Sequence, residues 1–351
     1  MRCEAFCTTP LPLVFSWGPI LKMRLIRHCG ELSPDHRGCV VALGNFDGVH
    51  LGHQAVILTA RRIAQDLGVA HAVMTFEPHP RSLFNPDQPP FRLTPFRVKS
   101  RLIEALGTDF LYQQHFDRDF AAMTALEFVG GVLVGCMQAS HVVVGYDYVF
   151  GKGRLGTGAF LQKCGEESGF GVTVVPPAMA DHGETYSSTA VREHLVAGRP
   201  DAAARLLGHY WEVEGRVEHG DARGRLLGFP TANLRLGEYQ RPASGVYAVR
   251  AGIDKGGATV WHDGVANFGR RPTFDKTDEL MEVHLLDFNE DLYGRHLRVA
   301  LVEHIRPERR FSGLAELTTQ ITADVETGRR LLAARHFSAA AGPMVPVAPA
   351  V

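Results

Sequence analysis

Two histidines three residues apart, His50 and His53, are the side chains best placed to do chemistry in this sequence. They stand in the stretch V-V-A-L-G-N-F-D-G-V-H-L-G-H-Q, residues 40–54. Its first four residues are typical of a short buried strand, a turn rich in Gly, Asn and Asp follows, and an amphipathic helical pattern comes next. Unpaired N–H groups and the helix dipole favour an anion at such a helix start. The stretch therefore predicts a phosphate site to which two imidazoles contribute.

The histidine pair has three interpretations: a metal pair, a pair of helix caps, or a clamp on negative charge in a transition state. Zinc is disfavoured because no third His or Cys stands at ligand spacing. Nucleotidyl transfer fits better, because its catalysis consists mostly of positioning the reactants and neutralising charge on phosphate oxygens. We therefore favour phosphoryl chemistry for this pair.

The composition is that of a globular protein with about two domains, since 351 residues exceed one ordinary core. Its 37 basic and 38 acidic residues nearly cancel, so we expect neither a nucleic-acid nor a membrane partner. Small-molecule substrates and a monomer or weak homo-oligomer are expected instead. Six cysteines include no Cys-x-x-Cys pair, which predicts neither a disulfide framework nor a zinc ribbon and favours a reducing cytoplasm.

Periodicity divides the chain into two parts, which we predict as domains 23–207 and 208–337. In the first, near-continuous apolar strands alternate with helices, which predicts a parallel sheet covered on both faces, a Rossmann-like α/β fold. In the second, strands follow one another with few helices until a final amphipathic helix, which predicts an antiparallel sheet or barrel. Residues 1–22 are expected to be a disordered or misannotated extension with Met23 as the alternative start, and residues 338–351 a disordered tail.

Polar motifs follow three strands of the first part, where the carboxyl ends of parallel strands place ligands. They are the stretch beginning at Gly44, Glu77-Pro78-His79-Pro80, and Gly145-Tyr146-Asp147. Later, Ser187-Ser188-Thr189 caps a helical run that carries Arg192 one turn in. These hydroxyls and Arg192 can bind phosphates together, although a plain helix cap is the simpler interpretation. Residues 145–152 are not a P-loop, because the glycine spacing is too long by one residue and no Ser or Thr follows the Lys.

The stretch G-N-F-D-G-V-H-L-G-H at 44–53 resembles the signature of the bifunctional bacterial riboflavin kinases/FMN adenylyltransferases. His-x-Gly-His alone marks the wider nucleotidylyltransferase superfamily, and the Phe-Asp-Gly prefix narrows it. T-F-E-P-H-P at 75–80, G-Y-D-Y-V-F-G-K-G-R-L-G at 145–156 and Y-S-S-T-A-V-R at 186–192 fit the same family, with Tyr148 where Phe is usual. The resemblance extends over about residues 23–337, with its motifs in order.

This resemblance implies roles for the N-terminal motifs. His50, His53 and Arg192 would be catalytic. Nucleotide contacts would come from Gly44, Asn45, Phe46, Asp47, Gly48, Asp147, Ser188 and Thr189. Pro78, His79 and Pro80 would lie on the flavin side.

The second part has its own motif, H-G-D-A-R-G-R-L-L-G-F-P-T-A-N at 219–233, which resembles that of riboflavin kinases. By itself, G-F-P-T-A-N is more typical of a turn than of a metal site. The resemblance implies a glycine loop around the ATP phosphates, Mg²⁺ ligands of the oxygen type that this ion prefers, and a general base for the riboflavin 5′-hydroxyl. The residues are Gly220, Gly224 and Gly228 for the loop, Thr231 and Asn233 for Mg²⁺, and Glu282 for the base.

The function implied by the resemblance is the ATP- and Mg²⁺-dependent phosphorylation of riboflavin to FMN, followed by adenylylation of FMN to FAD. Two alternatives compete with it. Another nucleotidylyltransferase, acting on pantetheine phosphate or nicotinamide mononucleotide, would leave the C-terminal motifs unexplained. A flavin- or nucleotide-binding regulator with inactive sites is disfavoured by the intact His50, His53, Arg192 and Glu282.

Overall fold

The computed structural model describes residues 22–179, 183–219, 224, 227–255, 258–272, 277–335 and 337. Within these residues the chain forms two six-stranded sheets, one from each half of the sequence. The expected tail at 338–351, all but the last residue of the expected extension at 1–22, and Gly220 lie outside the described residues.

The N-terminal part alternates strands and helices as the periodicity predicts. Its elements in chain order are β1 Arg24–Ile26, β2 Val40–Leu43, α1 Leu51–Leu67, β3 His71–Glu77, α2 Pro80–Phe84, α3 Phe96–Ala105, β4 Phe110–His115, α4 Arg118–Ala122, α5 Ala125–Phe128, β5 His141–Gly145, α6 Gly158–Ser168, β6 Gly171–Val175, α7 Ser188–Val196 and α8 Pro200–Leu207. A π-helical segment, Val129–Cys136, continues α5. The helix that begins at Ala125 thus changes its hydrogen-bond pattern partway along its length.

The strands of this part are all parallel, in the order β1-β4-β3-β2-β5-β6. Alternate residues of β2 face opposite sides: Val41 and Leu43 pack with Phe128, whereas Val40 and Ala42 pack with Ile57 of α1. Both faces are therefore covered, and the predicted α/β fold is confirmed. The order reverses at β2, which has β3 on one side and β5 on the other, and ligands of such sheets bind at this switch point.

The C-terminal part is mostly β, as expected. Its elements are β7 Glu212–Arg216, β8 Ala232–Arg235, β9 Gly245–Lys255, β10 Ala258–Pro272, β11 Thr277–Leu285, β12 His296–Pro307 and α9 Leu314–Ala333. The strands pair antiparallel in the order β7-β12-β9-β10-β11-β8. A bridge between Glu218, just beyond β7, and Asn233 of β8 brings the two edge strands together, so the sheet is a nearly closed barrel.

One hydrophobic core spans both parts. Leu93, Val191 and Leu207 from the N-terminal half pack in the same cluster as Val213 and Val249 of the barrel. The closing helix α8 also packs on the barrel, since Ala204 shares a second cluster with Ala248 and Ala300. Burial of this joint apolar surface holds the two sheets in contact.

The prediction from the cysteine spacing was wrong for one pair of cysteines. Cys29 and Cys136, 107 residues apart in sequence, form a disulfide, whereas the spacing argument predicted none. Cys29 follows β1 and Cys136 ends the π-helical segment, so the pairing depends on how the α/β fold brings them together. Cys39 and Cys164 are buried free thiols. In the described part of the chain, no helix is both long enough and apolar enough to cross a bilayer.

Candidate active sites

The histidine pair lies at the start of α1, at the carboxyl edge of β2. His50 is the N-cap residue, and its Nδ1 accepts the N–H of His53 at 3.3 Å. This bond leaves the proton of a neutral His50 ring on Nε2, where it can be donated. The two rings stack with centroids 3.6 Å apart, and the edge of Phe46 meets His53. The pair is therefore a preformed two-imidazole surface above the helix start.

Burial keeps both rings neutral at pH 7. It lowers the pKa of His50 to about 4, assisted by Arg192 and His209 and opposed by Asp47. Burial also lowers the pKa of His53, and the charges of His50, Lys99 and Arg192 act in the same direction. Nδ1 of His53 is buried and has no hydrogen-bond partner among the described residues. A buried polar atom without a partner is costly, so this nitrogen is suited to a ligand.

The turn before α1 is held in an unusual backbone conformation. Phe46 and Val49 have φ angles of 48° and 44°, a region that residues other than glycine rarely adopt. Gly48, with φ 89°, has its α-carbon against Leu93, where a Cβ would come within 2.9 Å. Strained turns of this kind persist where the surroundings fix them, and they cluster at functional sites.

The carboxylate of Asp47 holds the turn in this conformation. Its carboxylate is buried and accepts the N–H groups of Leu93 and Thr94, each at 3.0 Å, while Arg192 Nη2 pairs with it at 2.5 Å. Burial alone would raise the pKa of Asp47, but Arg192, the Thr94 N–H, Arg92 and Lys99 together hold it below its usual range. The carboxylate of Asp47 is thus occupied by protein groups and supports the turn from within.

The segment 91–94 connects the motifs, although it belongs to none of the predicted motifs itself. The Phe91 carbonyl accepts Arg192 Nε at 2.8 Å, and Gly48 N–H donates to Thr94 Oγ1 at 2.8 Å. On its other side the segment faces the barrel, where the Leu93 carbonyl accepts the indole N–H of Trp211 at 2.8 Å. No motif marks these four residues, because each acts through partners far away in sequence.

The second nucleotide motif docks on the first. Ser187 caps α7, with its Oγ accepting the N–H of Ala190, and Ser188 Oγ donates to the Asp47 carbonyl at 2.8 Å. Thr189 is exposed on the first turn of α7. Arg192 lies one turn in and is held by Asp47 and Phe91, so its guanidinium is fixed beside the turn of the first motif. The structure thus brings His50, Ser188 and Arg192 to one place.

The motif predicted for the flavin side, Pro78-His79-Pro80, follows β3. The Glu77-Pro78 peptide bond is cis, and His79 caps α2 by accepting the N–H of Arg81 at 3.1 Å. Burial lowers the pKa of His79 to about 4, with further contributions from Arg92 and Lys99 against those of Asp47 and Glu77. Its ring meets the edge of Phe91, whose other neighbours include Arg192. Phe91 therefore lies between the flavin-side motif and the nucleotide-side motif.

Two further cations, absent from the sequence prediction, lie beneath this region. Arg92 makes a bidentate pair with Glu77 (2.7 and 3.1 Å), and Lys99 Nζ lies 2.9 Å from the same carboxylate. Lys99 is fully buried. Opposing effects act on Glu77: burial raises its pKa, while Lys99 and Arg92 lower it by more. We refer to Asp47, Glu77, Arg92, Lys99 and Arg192 as the ion cluster.

Asp147 lies past the end of β5, on the other side of the switch point. It is exposed, in a turn in which Tyr148 N–H donates to the Gly145 carbonyl at 3.1 Å. The Tyr148 ring stacks on Phe150 and its hydroxyl is buried without a partner among the described residues. Gly44 and Asn45 begin the turn after β2, so the Asp147 turn and the histidine turn flank the crevice expected at a switch point.

The barrel brings together the residues of the second predicted site. Glu282 of β11 and Asn233 of β8 are direct partners in an antiparallel pair. Such partners have Cβ atoms about 4.5–5.5 Å apart on the same face. Asn233 is 5% exposed, and its Oδ1 has no hydrogen-bond partner among the described residues. An unpartnered amide oxygen is a fitting ligand for Mg²⁺. Thr231 comes immediately before β8, two residues before Asn233.

Two glycines before β8, Gly224 and Gly228, stand at positions that disfavour a side chain. A Cβ on Gly224 would come within 2.4 Å of the Phe229 carbonyl, and Gly228 has φ 86°. Both positions therefore require glycine, which agrees with the predicted phosphate loop. G-F-P-T-A-N is only partly the turn that its composition indicates, because Ala232 and Asn233 begin β8.

Two protein-family models match this chain, one in each part. A family model described as FAD synthetase matches residues 32–190, and one described as riboflavin kinase matches residues 207–332. The chain belongs to the bifunctional riboflavin kinase/FMN adenylyltransferase family. It is 44% identical to the protein of that name from Escherichia coli (strain K12) over 308 residues, which cover 88% of this chain and 97% of the relative. The Bacillus subtilis (strain 168) relative is 40% identical over 304 residues, 85% and 92% of the two chains.

A solved structure shares the fold over almost the whole length. It is described as a macrolide-efflux protein from Streptococcus pneumoniae, is 32% identical, and superposes with a TM-score of 0.77 over 88% of this chain and 99% of that one. The order of two family domains and the fold thus agree with the predicted architecture.

Proposed function

We propose that His50 and His53 serve the adenylylation step and Glu282 the phosphorylation step of the two reactions that define this family. The chain phosphorylates riboflavin to FMN and adenylylates FMN to FAD, each at the expense of ATP. The observation that carries the proposal is the separation of the two predicted sites: one lies at the switch point of the parallel sheet, the other between β8 and β11 of the barrel.

In the adenylylation step an oxygen of the FMN phosphate attacks the α-phosphorus of ATP, the bond from that phosphorus to the β-phosphate oxygen breaks, and pyrophosphate leaves. No proton has to move, so the protein contributes position and charge. Neutral His50 donates from Nε2 to a phosphate oxygen, and His53 lies against it. Ser188, Thr189 and Arg192 bind the ATP phosphates at the start of α7. His79, with Pro78 and Pro80, contacts the flavin nucleotide, and Asp147 the adenylyl side.

The first motif is proposed to bind the nucleotide where its turn lets a ligand come close to the backbone. Gly44, Asn45 and Gly48 form that turn, which is itself held by the bonds of the Gly48 N–H to Thr94 and of the Asn45 carbonyl to Thr75. Phe46 supports the ring of His53. Asp47 acts indirectly, because its carboxylate is used by Arg192 and segment 91–94.

In the phosphorylation step the Glu282 carboxylate accepts the proton of the riboflavin 5′-hydroxyl as that oxygen attacks the γ-phosphorus, and ADP leaves. Thr231 and Asn233 are the proposed Mg²⁺ ligands, which agrees with the unpartnered Oδ1 of Asn233. Mg²⁺ bound there would supply positive charge to the phosphate oxygens. Gly220, Gly224 and Gly228 are proposed to let the loop approach the ATP phosphates closely.

The domain boundaries, the oligomeric state and the cellular location of the protein are proposed from the sequence. We propose domain boundaries at 23–207 and 208–337, a monomer or weak homo-oligomer, and a cytoplasmic protein without nucleic-acid or membrane partners. The even charge balance supports the absence of such partners.

One assay tests the function. Purified protein is incubated with riboflavin, ATP and Mg²⁺, and the flavins are resolved by chromatography; FMN should appear first and FAD afterwards. Parallel incubations replace riboflavin with FMN, with nicotinamide mononucleotide or with pantetheine phosphate. Unchanged riboflavin and FMN would overturn the proposal, and adenylylation of either alternative substrate in preference to FMN would support another nucleotidylyltransferase. Omission of Mg²⁺ should stop phosphorylation.

A further inference from the structure

Lys99 is a fully buried lysine that none of the sequence motifs includes. It lies on α3, and its Nζ donates to Glu77 Oε1 at 2.9 Å and to Thr75 Oγ1 at 3.3 Å. Thr75 in turn donates its hydroxyl proton to the Asn45 carbonyl at 3.2 Å. The ammonium is therefore linked through one hydroxyl to the turn that precedes the histidine pair.

The position of Lys99 relates it to both halves of the adenylylation site. Its partner Thr75 bonds to the turn that precedes His50 and His53 on the nucleotide side, and its partner Glu77 stands two residues before His79 on the flavin side. The phosphate of FMN and the α-phosphate of ATP must meet between these two sides for the new bond to form. Lys99 thus lies beneath the place where the reacting phosphates would meet.

The charges of the ion cluster do not cancel. Arg92, Lys99 and Arg192 supply three positive charges, whereas Asp47 and Glu77 supply two negative ones. The remaining partner, Glu238, pairs with Arg92 at 3.5 Å, but its side chain is 57% exposed and is screened by water. One net positive charge is left in a buried site, and charges act strongly over short distances there.

We propose that Lys99 is a positioning residue for adenylyl transfer, a buried cation whose charge holds the phosphates of FMN and ATP in register without touching them. This inference rests on the roles proposed above for His53 and His79. Burial lowers the pKa of Lys99, so the ammonium depends on the carboxylate of Glu77, which opposes that effect. Glu77 therefore keeps Lys99 charged, and the ion cluster as a whole keeps one positive charge under the site.

Two substitutions separate the charge from the hydrogen bonds. Lys99→Gln keeps a donor for Thr75 and Glu77 but removes the charge, and Lys99→Met/Glu77→Gln removes one charge of each sign. The first lowers the net charge of the ion cluster to zero, and the second restores the excess of one. Lys163→Gln, a change at an exposed lysine of α6, is the matched control.

The experiment measures kcat and KM for FMN and for ATP in FAD formation, with riboflavin phosphorylation by the same preparation as the test of folding. We expect kcat/KM for FMN adenylylation to fall about 10–100-fold in Lys99→Gln, riboflavin phosphorylation to stay within about twofold, and the double variant to regain most of the loss.

Unchanged adenylylation in Lys99→Gln would overturn the proposal, as would a parallel loss of both activities or a double variant no better than the single one. If Lys99→Gln does not fold, Lys99→Met takes its place: FMN adenylylation must fall at least about tenfold in this single variant and be mostly regained in Lys99→Met/Glu77→Gln. Failure of the wild-type protein to make FAD would instead contradict the proposed function.

Discussion

The two sites of this chain are built by different means. The proposed adenylylation site is assembled from segments 46 to 145 residues apart, which meet at a strained turn and are fixed by the buried ion cluster. The phosphorylation site depends on the register of two neighbouring strands, which places Glu282 opposite Asn233. The first is thus fixed by side-chain ion pairs and the second by backbone pairing. Changes in the ion cluster should impair one reaction, and changes at the strand pair the other.

The largest effect is expected for Glu282→Gln. The amide has the size of the carboxylate but cannot accept the proton of the riboflavin 5′-hydroxyl, so phosphorylation should fall roughly 10²–10⁴-fold. Adenylylation of supplied FMN should stay unchanged, because no residue proposed for that step lies on β8 or β11. Both rates are measured by flavin chromatography, starting from riboflavin or from FMN. Loss of both activities in a folded variant would refute the separation of the two sites.

The His53→Ala variant should have the opposite effect, with adenylylation lost and phosphorylation kept. Removing one group that stabilises charge on the reacting phosphates typically costs about 10²–10³-fold in rate, and that loss is expected for FAD formation from FMN. Phosphorylation of riboflavin should continue, so FMN should accumulate. His115→Ala is the matched control, since His115 ends β4 with a side chain 68% exposed. A variant that loses phosphorylation as well would show that the barrel depends on the histidine turn.

Local patterns predicted the parts of each site that are contiguous in sequence. The apolar run 40–43 gave β2, and the Gly-Asn-Asp turn after it gave the histidine pair, because strand, turn and helix start are neighbours along the chain. Arg92 and Lys99 were missed because an isolated cation in a sequence gives no sign that Glu77 will bury it. Cys29 and Cys136 were missed for the same reason, since only the fold brings them together.

In the second site, the local sequence does not indicate a strand that the structure contains. By itself, G-F-P-T-A-N has the Gly and Pro of a turn, yet its last two residues pair with β11. Strand identity here comes from the barrel, which needs an edge strand beside β11, and local propensity gives little indication of it. The metal-ligand prediction for Asn233 came from the family resemblance and not from this pattern.

The Trp211→Phe variant tests whether the two reactions depend on the core that both parts of the chain share. Trp211 is fully buried in the core shared by both parts and donates its indole N–H to Leu93. The substitution leaves the Leu93 carbonyl without that partner and removes part of a ring, which should cost about 2 kcal/mol of unfolding free energy. Because the Leu93 N–H holds Asp47, we also expect adenylylation to weaken several-fold while phosphorylation holds. Urea unfolding and both assays check this, with Trp261→Phe as the control on β10; an equal loss of both activities would contradict it.

The smallest effect concerns His71, at the start of β3 and remote from both sites. It is 2% exposed, neither ring nitrogen has a partner among the described residues, and burial lowers its pKa to about 4. In the unfolded chain the pKa is about 6.5. Protonation therefore favours unfolding, so this contribution to stability is complete above pH 6.5 and is lost as the pH falls towards 4.

His71→Leu should remove that dependence. Between pH 6.5 and pH 5.5 the wild-type protein should lose roughly 1 kcal/mol more unfolding free energy than the variant, because the shift of one pH unit acts on one group. Urea midpoints at the two pH values measure the difference, and His115→Leu, at an exposed site, should behave like the wild type. Since His50 and His79 share a pKa of about 4, they add to the acid sensitivity of the same sheet. Equal losses in wild type and His71→Leu would mean that the buried His71 ring is not what makes the parallel sheet sensitive to acid.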